Sequence, residues 1–194
     1  MFKYTIRKGT QDDLEAICHL QSYAQEKAFS EITEYELKVP SLMVYHELWK
    51  KRLNDQHNDY IFYVACQESN VLGFIYCRLV EYRDRKIALV KALYVNPTHW
   101  GLGIGLDLLK HLDKDLVKNK VEIISLFILD QNKRAERLYK KIGFKFDSVV
   151  RKVNVHKQEY YLRHMVLKRI KDRNGADIFA GADSDEDKAQ EKKA

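Results

Sequence analysis

The chain has few prolines and cysteines and no long apolar run, features that would mark a disulfide-rich or membrane-spanning protein. Its 194 residues include two prolines and three cysteines, and no segment approaches the ~20 uncharged apolar residues that a membrane span needs. Cys18, Cys66 and Cys77 lack metal-like spacing and lie in apolar surroundings, which predicts reduced, buried thiols in a cytosolic protein. Residues 1–7 are charged and alternating, without the apolar core of a signal peptide. We therefore expect a cytoplasmic protein with no membrane partner.

The composition favours a folded, basic domain. The hydrophobic fraction is 45%, with 12 tyrosines and 8 phenylalanines, which is enough to build a core. The net charge is +6, but no basic run is interleaved with aromatic residues as in many nucleic-acid binders. We assign the charge to solubility and attraction of an anionic cofactor, and expect no nucleic acid as a partner. Periodicity stops at Lys171, so residues 1–170 are predicted as one domain and residues 171–194 as a disordered tail.

Hydrophobic periodicity predicts the order strand, two helices, three strands, helix, strand, helix, two strands. The predicted strands are residues 2–7, 60–67, 70–82, 86–95, 121–128, 144–155 and 159–167. The predicted helices are one that follows an N-cap at Thr10 and those at residues 42–54, 106–117 and 131–142. The strand at 86–95 is the most continuously apolar and is expected at the centre. This order predicts an α/β fold, with a mixed sheet of about six to seven strands and helices on both faces.

A run of three glycines joins the predicted central strand to the next helix. It reads Trp100-Gly101-Leu102-Gly103-Ile104-Gly105, and it lets the backbone approach a ligand while exposing the first N–H groups of the helix to a phosphate. The dinucleotide fingerprint does not fit, because leucines occupy its third glycine position in both registers. The nucleoside-triphosphate loop fails for want of Gly-Lys-Ser/Thr. A plain tight turn remains the structural alternative.

A second segment follows one helix and one strand later. Asn132, Ala135, Tyr139, Gly143 and Phe144 fit the pattern N-x-x-A-x-x-x-Y-x-x-x-G-F, whose first three members share a helix face. Together the two segments resemble the GNAT superfamily of N-acetyltransferases, which use acetyl-CoA. The glycine run fits the family's loop, Q/R-x-x-G-x-G/A, with tryptophan where Arg or Gln is usual.

The resemblance implies roles for both segments. Backbone N–H groups would cradle the CoA pyrophosphate at Gly101, Leu102, Gly103, Ile104, Gly105 and Leu106. The strand end Leu93, Tyr94 and Val95 would pair with the pantetheine arm, and an N–H near Leu93 or Tyr94 would bind the thioester oxygen. Asn132 and Ala135 would line the cofactor channel, and Tyr139 would protonate the departing thiolate. Gly143 would cap the helix, after which Phe144 returns to the core.

The general base and the acceptor site are open. Many relatives carry a glutamate near residues 89–91, where this chain has no carboxylate. Candidate bases are Glu81, Tyr82, Asp84, His99 or a relaying water. An amine pocket could be lined by Tyr35, Tyr45 and Trp49, with a cation drawn by Glu31, Glu34 or Glu36, although helix packing is the simpler role of these aromatics. The remaining histidines lack the spacing of metal ligands, so no metal is predicted.

Two functions of different class remain. The first is an acetyltransferase that moves the acetyl group from acetyl-CoA to a primary amine of a polyamine-like small molecule or a protein, by direct attack. The second is a catalytically silent acyl-CoA-binding module, which the missing carboxylate favours. A nucleic-acid-binding domain is a weaker third. The resemblance also admits a homodimer, because relatives often dimerise.

Overall fold

The computed structural model describes residues 2–32, 39–54, 59–155 and 158–168. The predicted tail, residues 171–194, lies outside the described residues. The strands are β1 (Thr5–Lys8), β2 (Tyr60–Gln67), β3 (Asn70–Tyr82), β4 (Arg85–Val95), β5 (Ile123–Leu129), β6 (Lys145–Val155) and β7 (Gln158–Lys168). The helices are α1 (Leu14–Ile32), α2 (Leu42–Leu53), α3 (Ile104–Lys118) and α4 (Lys133–Ile142), with short 3₁₀ turns at Gln11–Asp13 and Pro97–His99.

The strands form one mixed sheet in the order β1-β2-β3-β4-β5-β7-β6. Among the described strands, the β4–β5 pair alone is parallel, and the other neighbours are antiparallel. The strand β4 is central, as its continuous apolar run predicts. The predicted α/β fold with a mixed sheet is confirmed. Across the described ranges, no helix has both the length and the apolar character to traverse a bilayer.

Helices cover both faces of the sheet. On one face, Leu108, Leu112 and Leu116 of α3 recur every four residues and are buried, as an amphipathic helix requires. On the other face, α1 and α2 enclose a second cluster around Trp49, which is fully buried. The three cysteines are free and buried, as predicted. Burial raises the pKa of the Cys18 thiol to about 11, so this thiol is a packing group.

Some predicted boundaries and faces differ from the structure. The helix α3 begins at Ile104 rather than Leu106, because Gly103 serves as its N-cap and glycine at 105 is tolerated in the first turn. The helix α4 begins at Lys133, since the Asn132 side chain caps it. On α2, Leu42 is 40% exposed, so the buried face is narrower than its apolar pattern predicts.

The start of α1 is tied to β1 by an ion pair. Both carboxylate oxygens of Asp13 accept hydrogen bonds from the Arg7 guanidinium, at 2.7 and 2.8 Å. One of these oxygens also accepts the Thr10 N–H at 2.9 Å, which confirms Thr10 as the start of this helical segment. Burial alone would raise the pKa of Asp13, but these hydrogen bonds outweigh burial and hold it below 3.8.

This ion pair predicts an acid-dependent stability. A carboxylate whose pKa is lowered by folding stabilises the protein above its unfolded pKa, and this stabilisation is lost as the pH falls through the folded pKa. We therefore expect Asp13→Asn to lower Tm at pH 7, and the difference in Tm from the unmodified chain to shrink as the pH falls below ~4. Thermal melts followed by circular dichroism at pH 7, 4 and 2.5 measure this. A difference in Tm that stays constant over the three pH values would contradict the assignment.

The sheet opens between its two central strands. The strands β4 and β5 pair only at Ile87 with Ile123, Ala88 with Ile124 and Leu89 with Ser125. A shift in the β3–β4 register leaves Lys91 as an extra residue, opposite no residue of β3. This bulge turns the strand, since Val90 packs with the α3 cluster whereas Ala92, two residues on, packs with the α1–α2 cluster. Beyond it, the edge of β4 towards β5 is unpaired.

Candidate active site

The end of β4 presents backbone groups to this opening. The Asn96 N–H donates to the Leu72 carbonyl of β3 at 2.8 Å. Because successive residues of a strand alternate in direction, Leu93 and Val95 point their N–H and C=O groups away from β3. The Val95 carbonyl accepts the Trp100 indole N–H at 2.8 Å. The N–H and C=O of Leu93 therefore remain for a chain that pairs with β4 as an additional strand would.

The same alternation corrects the prediction for Tyr94. Its backbone groups point to β3, so they cannot also pair with a pantetheine arm. The Tyr94 side chain is the part of the residue that reaches the site. Of the two predicted donors to a thioester oxygen, the backbone direction favours Leu93.

Two glycines with left-handed backbone shape the turn after β4. The φ angle is +83° at Gly101 and +87° at Gly103, a region that residues with a Cβ rarely adopt. The first bond of α3 runs from the Asp107 N–H to the Gly103 carbonyl at 3.0 Å. Within the described part of the chain, the N–H groups of residues 101–106 have no acceptor. Amides at a helix N-terminus with no acceptor bind phosphate.

Gly105 serves a different purpose from the other two glycines. It lies in the first turn of α3, where a Cβ would be 3.2 Å from Leu138 Cδ2 and 3.6 Å from Val95 Cγ2. The missing side chain therefore lets α4 pack closely against α3 beside the end of β4. The sequence predicts close approach of a ligand here, and the structure shows that another helix approaches.

We call residues 100–105 the glycine turn. A cavity of about 550 Å³ extends from this turn past the end of β4. Its wall is built by α1, β4, the glycine turn, α3 and α4. The predicted site residues that line it are Leu93, Tyr94, Val95, Gly101, Gly103, Ile104, Gly105, Leu106, Asn132, Ala135 and Tyr139. Leu102, also predicted, does not line the cavity, and its side chain is 49% exposed.

The helix α4 forms one wall of the cavity. The Asn132 side-chain oxygen accepts the Ala135 N–H at 3.0 Å, so this oxygen caps the helix and the NH₂ group is available to donate to a ligand. Tyr139 is buried, with its ring 5.6 Å from that of Phe144 between centroids. Gly143 ends the helix with a φ of +107°, which confirms it as the C-terminal cap.

Two phenols meet in the cavity. Burial, together with the nearby Tyr94, raises the pKa of Tyr139 above its ordinary value, so this phenol keeps its proton at neutral pH. The Tyr94 oxygen accepts the Gln25 side-chain N–H at 2.8 Å, and the Tyr45 hydroxyl donates to the Gln25 carbonyl oxygen. This network fixes the Tyr94 phenol against α1, while Tyr139 retains a proton that it can donate.

Cations of α4 line one wall of the cavity. Those that line it on α4 are Lys133, Arg134, Arg137 and Lys141. The Arg134 guanidinium lies 3.6 Å from the centroid of the Trp100 ring and bonds both carboxylate oxygens of Glu31 at 2.9 Å. Tryptophan at position 100 thus holds an arginine from α4, whereas the family's loop usually has Arg or Gln at that position.

A comparison with protein families decides the assignment. A family model described as the acetyltransferase (GNAT) family matches residues 23–144, well over half of the chain. This chain belongs to the GNAT family. The predicted resemblance is confirmed, and the match includes both the glycine turn and α4.

Individual GNAT proteins are similar to this chain. A curated relative, an uncharacterized N-acetyltransferase of Methanocaldococcus jannaschii, is 26% identical over 151 residues, which are 76% of this chain and 63% of the relative. The ribosomal-protein-S18-alanine N-acetyltransferase of Escherichia coli has a TM-score of 0.64 at 21% identity, over 86% of this chain and 94% of its own. The PaiA N-acetyltransferase of Thermoplasma acidophilum, solved with coenzyme A, has a TM-score of 0.64 at 24% identity, over 86% and 99%. These structures share the GNAT fold.

Most of the predicted bases lie away from the cavity. Glu81, Tyr82 and Asp84 are at the far end of β3 and in the turn to β4, and none of them lines it. His99 does line it, with its Nδ1 2.8 Å from the Thr98 hydroxyl. In the described part of this GNAT chain, no three His, Cys, Asp or Glu side chains cluster as a metal site would require.

The described aromatic residues of the predicted amine pocket pack in the core and do not line the cavity. Trp49 is fully buried against Phe74 and Tyr76, and Tyr45 is 3% exposed. Neither Trp49 nor Tyr45 lines the cavity. Glu31 does line it, but its carboxylate is bonded to an arginine. Tyr35, Glu34 and Glu36 lie outside the described residues.

Apart from Glu31, sequence reasoning missed the contribution of α1 to this GNAT site. Ala24, Ala28, Glu31 and Ile32 line the cavity from one face of the helix. The signal was present, since two alanines four residues apart leave a shallow helix surface. The bulge at Lys91 had no such signal, because a lysine in a strand is ordinary and the register depends on the partner strand.

Proposed function

We propose that this GNAT chain transfers the acetyl group of acetyl-CoA to a primary amine. The observation that supports this is the course of the cavity. It begins at the backbone N–H groups of residues 101–106, which have no hydrogen-bond acceptor in the described structure, and follows the unpaired edge of β4 to the phenol of Tyr139. A diphosphate at one end and a thioester at the other fit this path. Acetyl-CoA supplies an activated acyl group, and no prosthetic group is needed for the reaction.

The residues of the cavity then have separate tasks. The amides at the N-terminus of α3 hold the diphosphate, and the Leu93 C=O and N–H orient the pantetheine chain and the thioester. As the neutral amine attacks the carbonyl carbon, negative charge on its oxygen is stabilised by the Leu93 N–H. The C–S bond breaks, and Tyr139 donates its proton to the thiolate sulfur. The amine proton passes to water, from which Tyr139 is reprotonated.

The acceptor is a primary amine of a polyamine-like small molecule or of a protein. Glu31 supports a cationic small amine, because it is a carboxylate on the cavity wall, 51% exposed and accessible from solvent. Its arginine partner on α4 would have to release it for this role.

The test is an acceptor screen with acetyl-CoA, in which release of the CoA thiol is followed with a chromogenic reagent. The panel comprises polyamines, aminoglycosides, amino acids and N-terminal peptides. We expect at least one class to accelerate thiol release well above the hydrolysis blank, with an acetylated product seen by mass spectrometry. Tight binding of acetyl-CoA without acetylation of any acceptor would contradict the proposal.

One observation favours the alternative, a silent acyl-CoA-binding module. Of the residues that line the cavity, Glu31 is the carboxylate, and it is paired with Arg134 rather than free to take a proton. Calorimetry that shows acetyl-CoA binding, combined with a negative acceptor screen, would favour this module over the enzyme.

A further inference from the structure

The helix α4 is strongly basic, and its charges are unevenly paired. Its basic residues are Lys133, Arg134, Arg137, Lys140 and Lys141, against the single acidic residue Glu136. Both Lys133 and Lys140 bond Glu136, and Arg134 bonds Glu31. Within the described residues, Arg137 and Lys141 have no acidic partner. Both line the cavity and both are exposed to solvent.

The positions of these two cations relate them to the glycine turn. They are four residues apart, so their side chains lie on one face of α4. Leu138, next to Arg137, is the residue that packs on Gly105 in the first turn of α3. The two cations also line the same cavity as Gly101 and Gly103, so they share a wall with the helix N-terminus that is proposed to bind the diphosphate. Like charges at this spacing weaken a helix slightly, and an anion between them reverses the effect.

Building on the proposed function, we propose that Arg137 and Lys141 bind the 3′-phosphate of coenzyme A and select 3′-phosphorylated carriers. The amides of the glycine turn account for the diphosphate, but they leave the ribose 3′-phosphate, which bears about two negative charges, without a partner. A guanidinium binds phosphate with two parallel hydrogen bonds, and an ammonium adds a point charge. This pair is a specificity determinant, since it contacts a part of the carrier remote from the thioester.

Calorimetric titration of the full chain with CoA and with 3′-dephospho-CoA tests this. We expect the unmodified chain to bind CoA at least about tenfold more tightly than 3′-dephospho-CoA. The double variant Arg137→Gln/Lys141→Gln should bind the two ligands within about twofold of each other, mainly through weaker CoA binding. Lys140→Gln is the matched control, because it removes one positive charge from the same helix at a residue that pairs with Glu136 and does not line the cavity.

The outcomes separate this inference from the proposed function. Equal affinity of the unmodified chain for the two ligands would overturn the inference and leave the proposed function intact. Equal loss of preference in Lys140→Gln and the double variant would overturn it too, since general attraction would then explain the preference. Failure of CoA to bind at all would instead contradict the proposed function.

Discussion

Tyr139→Phe is expected to lower kcat by at least about 100-fold while the affinity for acetyl-CoA stays within about threefold. The substitution removes only the hydroxyl, so the ring keeps its packing against Phe144. Without the phenol proton the thiolate must leave as an anion or take a proton from water, and both routes are slower. Since burial raises the pKa of Tyr139, its deprotonation should not lower the rate of the unmodified chain up to pH ~10. Steady-state kinetics and calorimetry measure the two effects.

Tyr63→Phe is the matched control for the loss of a buried phenol. Tyr63 is as buried as Tyr139, but it does not line the cavity and donates to Asp115 instead. We expect it to keep most of the turnover. If Tyr139→Phe kept the full kcat, the assignment of the general acid would be wrong. If it lost acetyl-CoA binding instead, Tyr139 would be a packing residue of the cavity.

Gly105→Val is expected to weaken acetyl-CoA binding by at least about tenfold, or ~1.4 kcal/mol. Its Cβ would lie 3.2 Å from Leu138 Cδ2, and the two methyl groups of valine would extend further into α4 and β4. Since the interior is closely packed, we expect the Leu138 side chain and the turn of α4 that carries it to move away from α3. That movement displaces the wall that carries Asn132 and Tyr139. Calorimetry with acetyl-CoA measures the loss.

A second substitution separates the steric cause from general damage. Leu138→Ala removes the atoms that valine meets, so Gly105→Val/Leu138→Ala should recover part of the affinity. Gly103→Ala is a contrasting variant, because open space surrounds that Cβ but its φ is +87°. It should lower stability by ~1–2 kcal/mol through backbone strain. Binding of Gly105→Val equal to that of the unmodified chain would show that the α3–α4 contact does not shape the site.

Local patterns predicted much of the fold. The bounds of β2 and β3 agree with the prediction, because each has apolar alternation and a short polar turn between them. The position of β4 followed from its continuous apolar run. The second motif was located well too, since Asn132 and Gly143 are the caps of a short helix and local chemistry determines both.

Contacts between distant segments were beyond these patterns. The opening between β4 and β5 depends on the bulge at Lys91 and on the short stretch over which these strands pair. Both features are set by the register with a neighbouring strand, not by the sequence of β4 alone. The role of Gly105 depends on Leu138, which lies 33 positions later in the sequence. The Arg134 stack on Trp100 joins α4 to the glycine turn in the same way. Periodicity within one element carries no information about such partners.

Amide hydrogen exchange of residues 101–106, read by mass spectrometry with and without acetyl-CoA, tests the central claim most directly. These N–H groups have no acceptor in the described structure, so they should exchange quickly in the free protein. Bound diphosphate should slow their exchange by at least about tenfold, together with that of Leu93 at the end of β4. Unchanged exchange of residues 101–106 at saturating acetyl-CoA would contradict the account.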